Sequence, residues 1–416
     1  MAIKKLNKNR LIIVLLLGFS SGLPLALTGT LLQAWFTVSG ISIVTIGMLG
    51  LIGQPYVYKF LWAPLLDRYI PPFMGRRRGW LMITQFGLLI TIAAMALGDP
   101  KTSPYLLASL ALVVAFLSAT QDIAIDAYRT DVLTPEERGL GAAFYTGAYR
   151  VAMMVSGGLA LIAADFWGWR TTYLLMAALM TIGLLASWFG EEPLLDRRHY
   201  NPPSICIAIV APLREFFSRD YAWFLLLAIV LYKLGDALSV SLATPFLIRG
   251  LGFSLITVGA IFKGVGLAAT LLGVLVGGFL MVRLTIFRSL LLFGILQSAA
   301  ILTFIQLAIV GKSYLMLVIT VFVDNFCNGL GATALVAFLM SLCDHRYTAT
   351  QFALLSAVAV IGRVFIGPVA GVIVEHFGWV NFFICALLTS LPGLFLLWWL
   401  REKIELSTTP RVALLH

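Results

Sequence analysis

From Leu11 to Leu400 the sequence alternates between long apolar runs and short polar connections. A helix crossing a bilayer needs about 20 predominantly apolar residues. Twelve stretches qualify, roughly 11–36, 41–66, 79–98, 104–131, 140–165, 170–190, 221–248, 254–282, 286–310, 314–343, 351–374 and 379–401. Their continuity excludes a β-barrel, whose strands would alternate lipid-facing and lumen-facing residues at period two. With 60% hydrophobic and 12% charged residues, no soluble core could hide the apolar surface. The sequence therefore predicts an all-α integral membrane protein with twelve transmembrane helices.

The charges follow the same plan. Of 29 Lys and Arg, 19 fall before, between or after the spans on the side that holds the N-terminus, and four (Lys101, Arg170, Arg249, Lys312) on the other. Basic loops stay cytoplasmic, so both termini are expected inside. The formal charge of +10 is thereby a topology signal, and no nucleic acid is expected as a partner. A basic start followed by an apolar run could also be a cleaved leader, but an internal repeat needs the first span.

That repeat is direct. GISIVTIG at Gly40–Gly47 returns as GFSLITVG at Gly252–Gly259, Gly22 answers to Gly235, and FWGW ending at Trp169 returns as HFGW ending at Trp379. The offsets, 210 to 213 residues, resemble the parallel repeat of major facilitator transporters, with six helices per half and the substrate near the midplane. The expected architecture is two pseudo-symmetric six-helix bundles, 1–190 and 221–401. Between them lies a cytoplasmic linker, 191–220, whose stretch Ile205–Phe217 reads as an interfacial helix; a tail, 402–416, follows.

In LWAPLLDRYIPPFMGRRRGW, Asp67 and Arg68 close one span, and Gly75, Arg76, Arg77 and Arg78 open the next. The arginines set topology, and the stretch also resembles the gating loop between the second and third helices of major facilitator transporters. There an acid and a basic cluster form a latch. The counterpart near Arg283–Arg288 keeps only scattered arginines.

Ionised residues inside spans are rare and tend to pair, line a cavity or work, because each one costs about 2.5–3.5 kcal/mol on insertion scales. Asp122, Asp126 and Arg129 stand at i, i+4 and i+7 in the fourth span, on one helix face. Two carboxylates beside a guanidinium suit a proton-coupled carrier. Asp126 and Arg129 read as the structural pair and the deeper Asp122 as the coupling group; a purely structural network is the alternative. Lys233 and Asp236 lie one turn apart in the seventh span, Arg150 and Arg363 at similar depths in the fifth and eleventh, and Asp324, Asn325 and Asn328 in the tenth. With Lys59 and Lys263, and acids at span ends left aside, these cations outnumber the acids by two, which favours an anionic solute unless lysines near helix ends snorkel out. Pro24 beside Gly22 should break or kink the first span. Gln33, Tyr56 and Gln121 offer polar contacts to a sugar, or hydrogen bonds between helices.

Taken together, the basic-loop motif, ATQDIAIDAYRTDVLTPEERGLGAA and VAFLMSLCDHRYTATQFALLS are similar to the AmpG-type muropeptide permeases, a group within the major facilitator superfamily akin to acetyl-CoA transporters. The likeness runs from about Leu11 to Trp399. It implies an importer in the inner membrane of a Gram-negative bacterium, and a monomer is expected. Such permeases take up N-acetylglucosaminyl-1,6-anhydro-N-acetylmuramic acid, with or without stem peptide, on the proton-motive force. In that family uptake serves wall recycling and feeds the signal for β-lactamase induction. Some family members are longer and carry extra hydrophobic segments, so accessory functions and stem-peptide preference stay open. A drug or metabolite exporter and an acyl-CoA-type carrier are the rival readings. An exporter of hydrophobic cations would want an unpaired acid in an aromatic cavity, whereas cations are in surplus here. The four histidines (His199, His345, His376, His416) sit in loops or at ends without a nucleophile or metal spacing, and Cys206, Cys327, Cys343 and Cys385 show no ligand spacing. No enzyme activity, metal or cofactor is expected.

Overall fold

The computed structural model describes residues 7–133, 138–193, 214–219, 221–281, 283–342 and 348–408. Among them nine helical stretches are long and apolar enough to cross a membrane. Two of these, Phe144–Phe189 and Leu354–Trp399, run to 46 residues, about 69 Å as straight helices and more than twice the bilayer core. Each is two spans joined at a glycine: Gly168 has φ 78° and ψ 165°, Gly378 φ 74° and ψ 177°. A side chain at either position would be strained, which is why FWGW and HFGW both place glycine at the corner.

The second span is not one of the nine, because the run 43–68 is broken. Helices Ile43–Met48, Gln54–Tyr58 and Ala63–Arg68 alternate with 3₁₀ turns at Leu49–Gly53 and Lys59–Leu61. Pro55 and Pro64 each remove a backbone donor near the start of a piece. Splitting the two joined stretches and adding this broken one recovers twelve. We number them α1 (Lys8–Val38), α2 (43–68), α3 (Arg76–Met95), α4 (Pro104–Val132), α5 (138–167), α6 (169–189), α7 (Ala222–Gly250), α8 (Leu255–Met281), α9 (Ile286–Val310), α10 (Tyr314–Ser341), α11 (348–377) and α12 (379–399).

Pro24 does not break α1. The α-helix runs through it to Ala26 and widens into a π-helical turn at Leu27–Leu31 before resuming at Leu32–Val38. Thr28 Oγ1 donates to the Pro24 carbonyl at 3.1 Å. The helix widens just past the proline, where the Thr28 hydroxyl and the Leu27 amide both serve the Pro24 carbonyl, and proline is tolerated in membrane helices by such local adjustments.

Packing divides the chain into two compact units. Unit 1 comprises Met1–Ile41, Ile52–Asn201 and Val258–Ala260; unit 2 comprises Ser42–Leu51, Pro202–Thr257 and Ile261–His416. The two short exchanged pieces hold the repeated glycines. Gly259, in unit 1, lies against the Gly158 carbonyl, and Gly47, in unit 2, lies against the Gly367 carbonyl, so close that a Cβ at either would collide. Of the linker, 194–213 lies outside the described residues; the interfacial helix expected at Ile205–Phe217 appears only at its last turn, 214–217.

The repeat extends to side-chain contacts. Ser42 caps the amide of Thr45 at 3.2 Å, and Ser254 caps that of Thr257 at 3.2 Å, each a helix N-cap. Trp35 stacks on Trp169 with centroids 5.6 Å apart and packs on Tyr173 at 5.3 Å. In unit 2, Phe246 packs on Trp379 at 5.2 Å and on Phe383 at 4.9 Å. The same aromatic wedge thus pins the end of the first helix of each half to the start of its sixth.

Candidate functional site

In unit 1 the acid on α4 is tethered to α1. Ser21 Oγ donates to Asp122 Oδ1 at 2.5 Å and lies 3.0 Å from the Tyr145 hydroxyl of α5. The Tyr145 ring carries the Arg129 guanidinium 4.5 Å from its centroid, and Arg129 pairs with Asp126 at 2.9 Å. The three residues that share a helix face therefore split: Asp126 and Arg129 hold each other, while Asp122 is held by the Ser21 hydroxyl. One position before Asp122, Gln121 Nε2 donates to Ser20 Oγ at 2.9 Å, fully buried. Gln33 and Tyr56 are half-buried on α1 and α2. Arg150 is exposed on α5, with no carboxylate in salt-bridge range among the described residues.

The basic loop is also built within unit 1. Gly75 turns at φ 82° and cannot cap α3 itself. The cap comes from far along the chain: Glu192 accepts the amides of Arg77 and Arg78 at 2.9 and 3.0 Å. A carboxylate at a helix N-terminus satisfies free amides and meets the positive end of the macrodipole. Arg77 Nε donates to Asp131 at 2.8 Å; Arg78 donates to the carbonyls of Ser187 (2.9 Å) and Trp188 (2.5 Å). Arg76 and Arg77 are buried. Nearby, Arg10 pairs with Glu191 at 3.0 Å. The side chains of Asp67 and Arg68 lie outside the described set. Sequence reasoning missed Glu192 and Asp131, although two acids closing α6 and one closing α4, all at the basic end of the bundle, were a usable signal.

In unit 2 the acid on α7 is paired. Lys233 Nζ stands 3.5 Å from Asp236 Oδ2, and Asn328 Nδ2 of α10 donates to both carboxylate oxygens at 2.9 and 2.8 Å. Asp324 is 4% exposed, one helical turn before Asn328. Asn325 faces away toward α8: its amide donates to the Val321 carbonyl at 2.9 Å, and Thr270 donates to its Oδ1 at 3.3 Å. Lys263, on a π-helical stretch of α8, lies 4.9 Å from the centroid of Phe262. Arg363 is exposed on α11. Neither Lys263 nor Arg363 has a carboxylate in salt-bridge range among the described residues. Once the two close pairs are set aside, four of the six cations inside spans, Lys59, Arg150, Lys263 and Arg363, have no carboxylate in salt-bridge range among the described residues.

Comparison with known proteins bears on the family and the fold. The model of the Major Facilitator Superfamily matches residues 11–350. An anhydromuropeptide permease of Escherichia coli (strain K12) is 53% identical over 394 residues, 94% of this chain and 80% of that protein. A protein of Rickettsia felis described as putative transporter AmpG 4 is 34% identical over 414 residues, 97% of this chain and 100% of its own length. Among solved structures, a bacterial homologue of the lysosomal transporter Spinster, inward-facing and unoccupied, superposes with TM-score 0.74 at 16% identity, covering 98% of this chain and 100% of that one. The nucleoside transporter NupG gives 0.71 at 15% identity, covering 93% and 98%. At such identities the structures speak for the fold alone.

Proposed function

The chain belongs to the major facilitator superfamily and, within it, to the AmpG-type muropeptide permeases, and on that premise we propose that it imports anhydro-muropeptides, with or without stem peptide, from periplasm to cytoplasm by alternating access coupled to protons. The observation that carries the reading is the 53% identity to the Escherichia coli anhydromuropeptide permease across 94% of this chain. The site chemistry supports it. A solute bearing lactyl and peptide carboxylates suits Arg150, Lys263 and Arg363, three of the cations without an acid partner among the described residues. Gln33, Tyr56 and Gln121 offer amides and a hydroxyl to the sugars, and Lys233, Asp236 and Asp324 are further polar contacts; Asn325, expected among them from the sequence, is instead held toward α8.

Asp122 is the proposed coupling group, with Asp126 and Arg129 as its structural support. Its contact in the structure is a serine hydroxyl, which can turn its proton toward a carboxylate or its lone pair toward a carboxylic acid, so loading and unloading a proton breaks no ion pair. Arg76–Arg78, with Asp67, Arg68 and Gly75, form the proposed gating loop. We place the protein in the bacterial inner membrane as a monomer with both termini cytoplasmic, with protons and the bilayer as its partners and no cofactor.

The test is uptake of labelled anhydro-disaccharide into proteoliposomes. Accumulation under an imposed inward proton gradient is the expected result. Counterflow exchange without gradient-driven accumulation would overturn proton coupling, and absence of both would overturn the substrate assignment.

A further inference from the structure

Unit 2 contains a small cavity that the charge pairs leave unused. It lies where α7, α9 and α12 meet, between Tyr232, Asp236, Gln297, Ser298 and Ser390. Measured as room for a water-sized sphere, its volume is ≈ 10 Å³, about what a single water molecule requires.

The walls are polar in a specific way. Gln297 is 4% exposed and Tyr232 7%, yet both amide atoms of Gln297 and the Tyr232 hydroxyl meet no hydrogen-bond partner among the described residues. Buried polar atoms in folded proteins are nearly always satisfied, by protein or by ordered water. The orphaned groups also converge: a Cβ on Gly331 of α10 would stand 2.5 Å from Gln297 Oε1 and 3.3 Å from the Tyr232 hydroxyl. Ser390 does not satisfy them, because its hydroxyl donates to the Leu387 carbonyl at 2.6 Å. Asp236 follows Tyr232 by four residues and so lines the same face of α7.

We propose that this cavity is a built hydration site, in which one water accepts from the Gln297 amide, donates to the Asp236 carboxylate and takes the Tyr232 hydroxyl as a third partner. Three partners are typical for a buried water. Asn328 holds Asp236 from α10, and the water holds it from α9. Lys233 is a looser partner at 3.5 Å, beyond the usual range of a charge-assisted hydrogen bond. Asp236 therefore stays solvated when Lys233 turns away. Resting on the proposed function, the role follows: the water and Asn328 release Lys233 to a carboxylate of the muropeptide, making Gln297 a positioning residue for anion recognition.

Hydroxyl-radical footprinting by X-ray radiolysis, on the full chain in nanodiscs, tests the site directly, since a bound water generates the radical beside its neighbours. Tyr105 (86% exposed) and Tyr173 (0% exposed, its hydroxyl on the Leu27 carbonyl) are the wet and dry references. Tyr232 is expected to label at a rate nearer to that of Tyr105, and Gln297→Leu should bring it down to that of Tyr173. Wild-type Tyr232 labelling no faster than Tyr173 would overturn the site, whether or not the variant folds. The role is read by uptake of anhydro-disaccharide and of its lactyl methylamide. Gln297→Leu should raise KM for the acid and leave that for the amide unchanged. An equal rise for both would overturn the role in anion recognition. Wild-type protein taking up neither compound would overturn the transport reading and this role with it, while the footprint would still decide the site.

Discussion

The two halves share a scaffold but not their buried charges. Unit 1 holds its deep acid, Asp122, through a hydroxyl, and Arg129 is diverted to Asp126 and the Tyr145 ring. Unit 2 holds Asp236 through a lysine and an amide. The offset of 213 that relates Gly22 to Gly235 places Leu23 opposite Asp236, and Leu335 opposite Asp122. The glycine corners, serine caps and aromatic wedges repeat because both bundles solve one packing problem. The charges do not: at this offset neither Asp122 nor Asp236 has an acidic counterpart.

The sharpest way to break this contrast is substitution of the two acids. Asp122→Asn should abolish gradient-driven accumulation while sparing counterflow exchange, since an amide keeps a contact to Ser21 but cannot take up and release a proton. Accumulation at the wild-type level would make Asp122 structural and the halves equivalent. Asp236→Ala should act on stability instead. It strands Lys233, and breaking a mostly buried ion pair costs about 3 kcal/mol, readable as a lowered thermal midpoint in detergent. Adding Lys233→Met should recover much of that loss, because a missing pair is tolerated better than a lone buried charge. If Asp122→Asn destabilises as strongly as Asp236→Ala, the distinction between a tethered and a paired acid fails.

The frame was legible because its signals are local. Apolar runs, the FWGW corner and the GxSxxTxG caps can be read within a few residues. So could the pairs Asp126–Arg129 and Lys233–Asp236, which are set by helical spacing. The break-up of α2 was less legible: hydropathy averages over Pro55 and Pro64, although both prolines were in view. What sequence alone could not supply were partners from distant helices. Ser21 and Asp122 are 101 residues apart, Asp236 and Asn328 92, Arg77 and Glu192 115. Helix periodicity says which residues share a face, and only packing says what that face meets.

The remaining contrasts are smaller and concern the rim of unit 1. Glu192→Gln removes the negative charge from the α3 N-terminus but leaves an oxygen able to accept one amide. The expected loss is about 1 kcal/mol, with Glu192→Ala losing more; the Arg76–Arg78 loop should become more open to protease. A rank order with alanine milder than glutamine would rule out the capping role.

Least is expected from Asp126→Asn. The pair has a short 2.9 Å contact, but its side chains are 48% and 31% exposed, and exposed pairs contribute between zero and about 1 kcal/mol. Arg129 also keeps its seat on the Tyr145 ring, a contact that does not depend on Asp126. Stability should therefore fall by less than about 1 kcal/mol, and accumulation should persist at a reduced rate. Complete loss of accumulation in Asp126→Asn, with exchange intact, would move the coupling role one helical turn along α4 and leave Asp122 as the tether to α1.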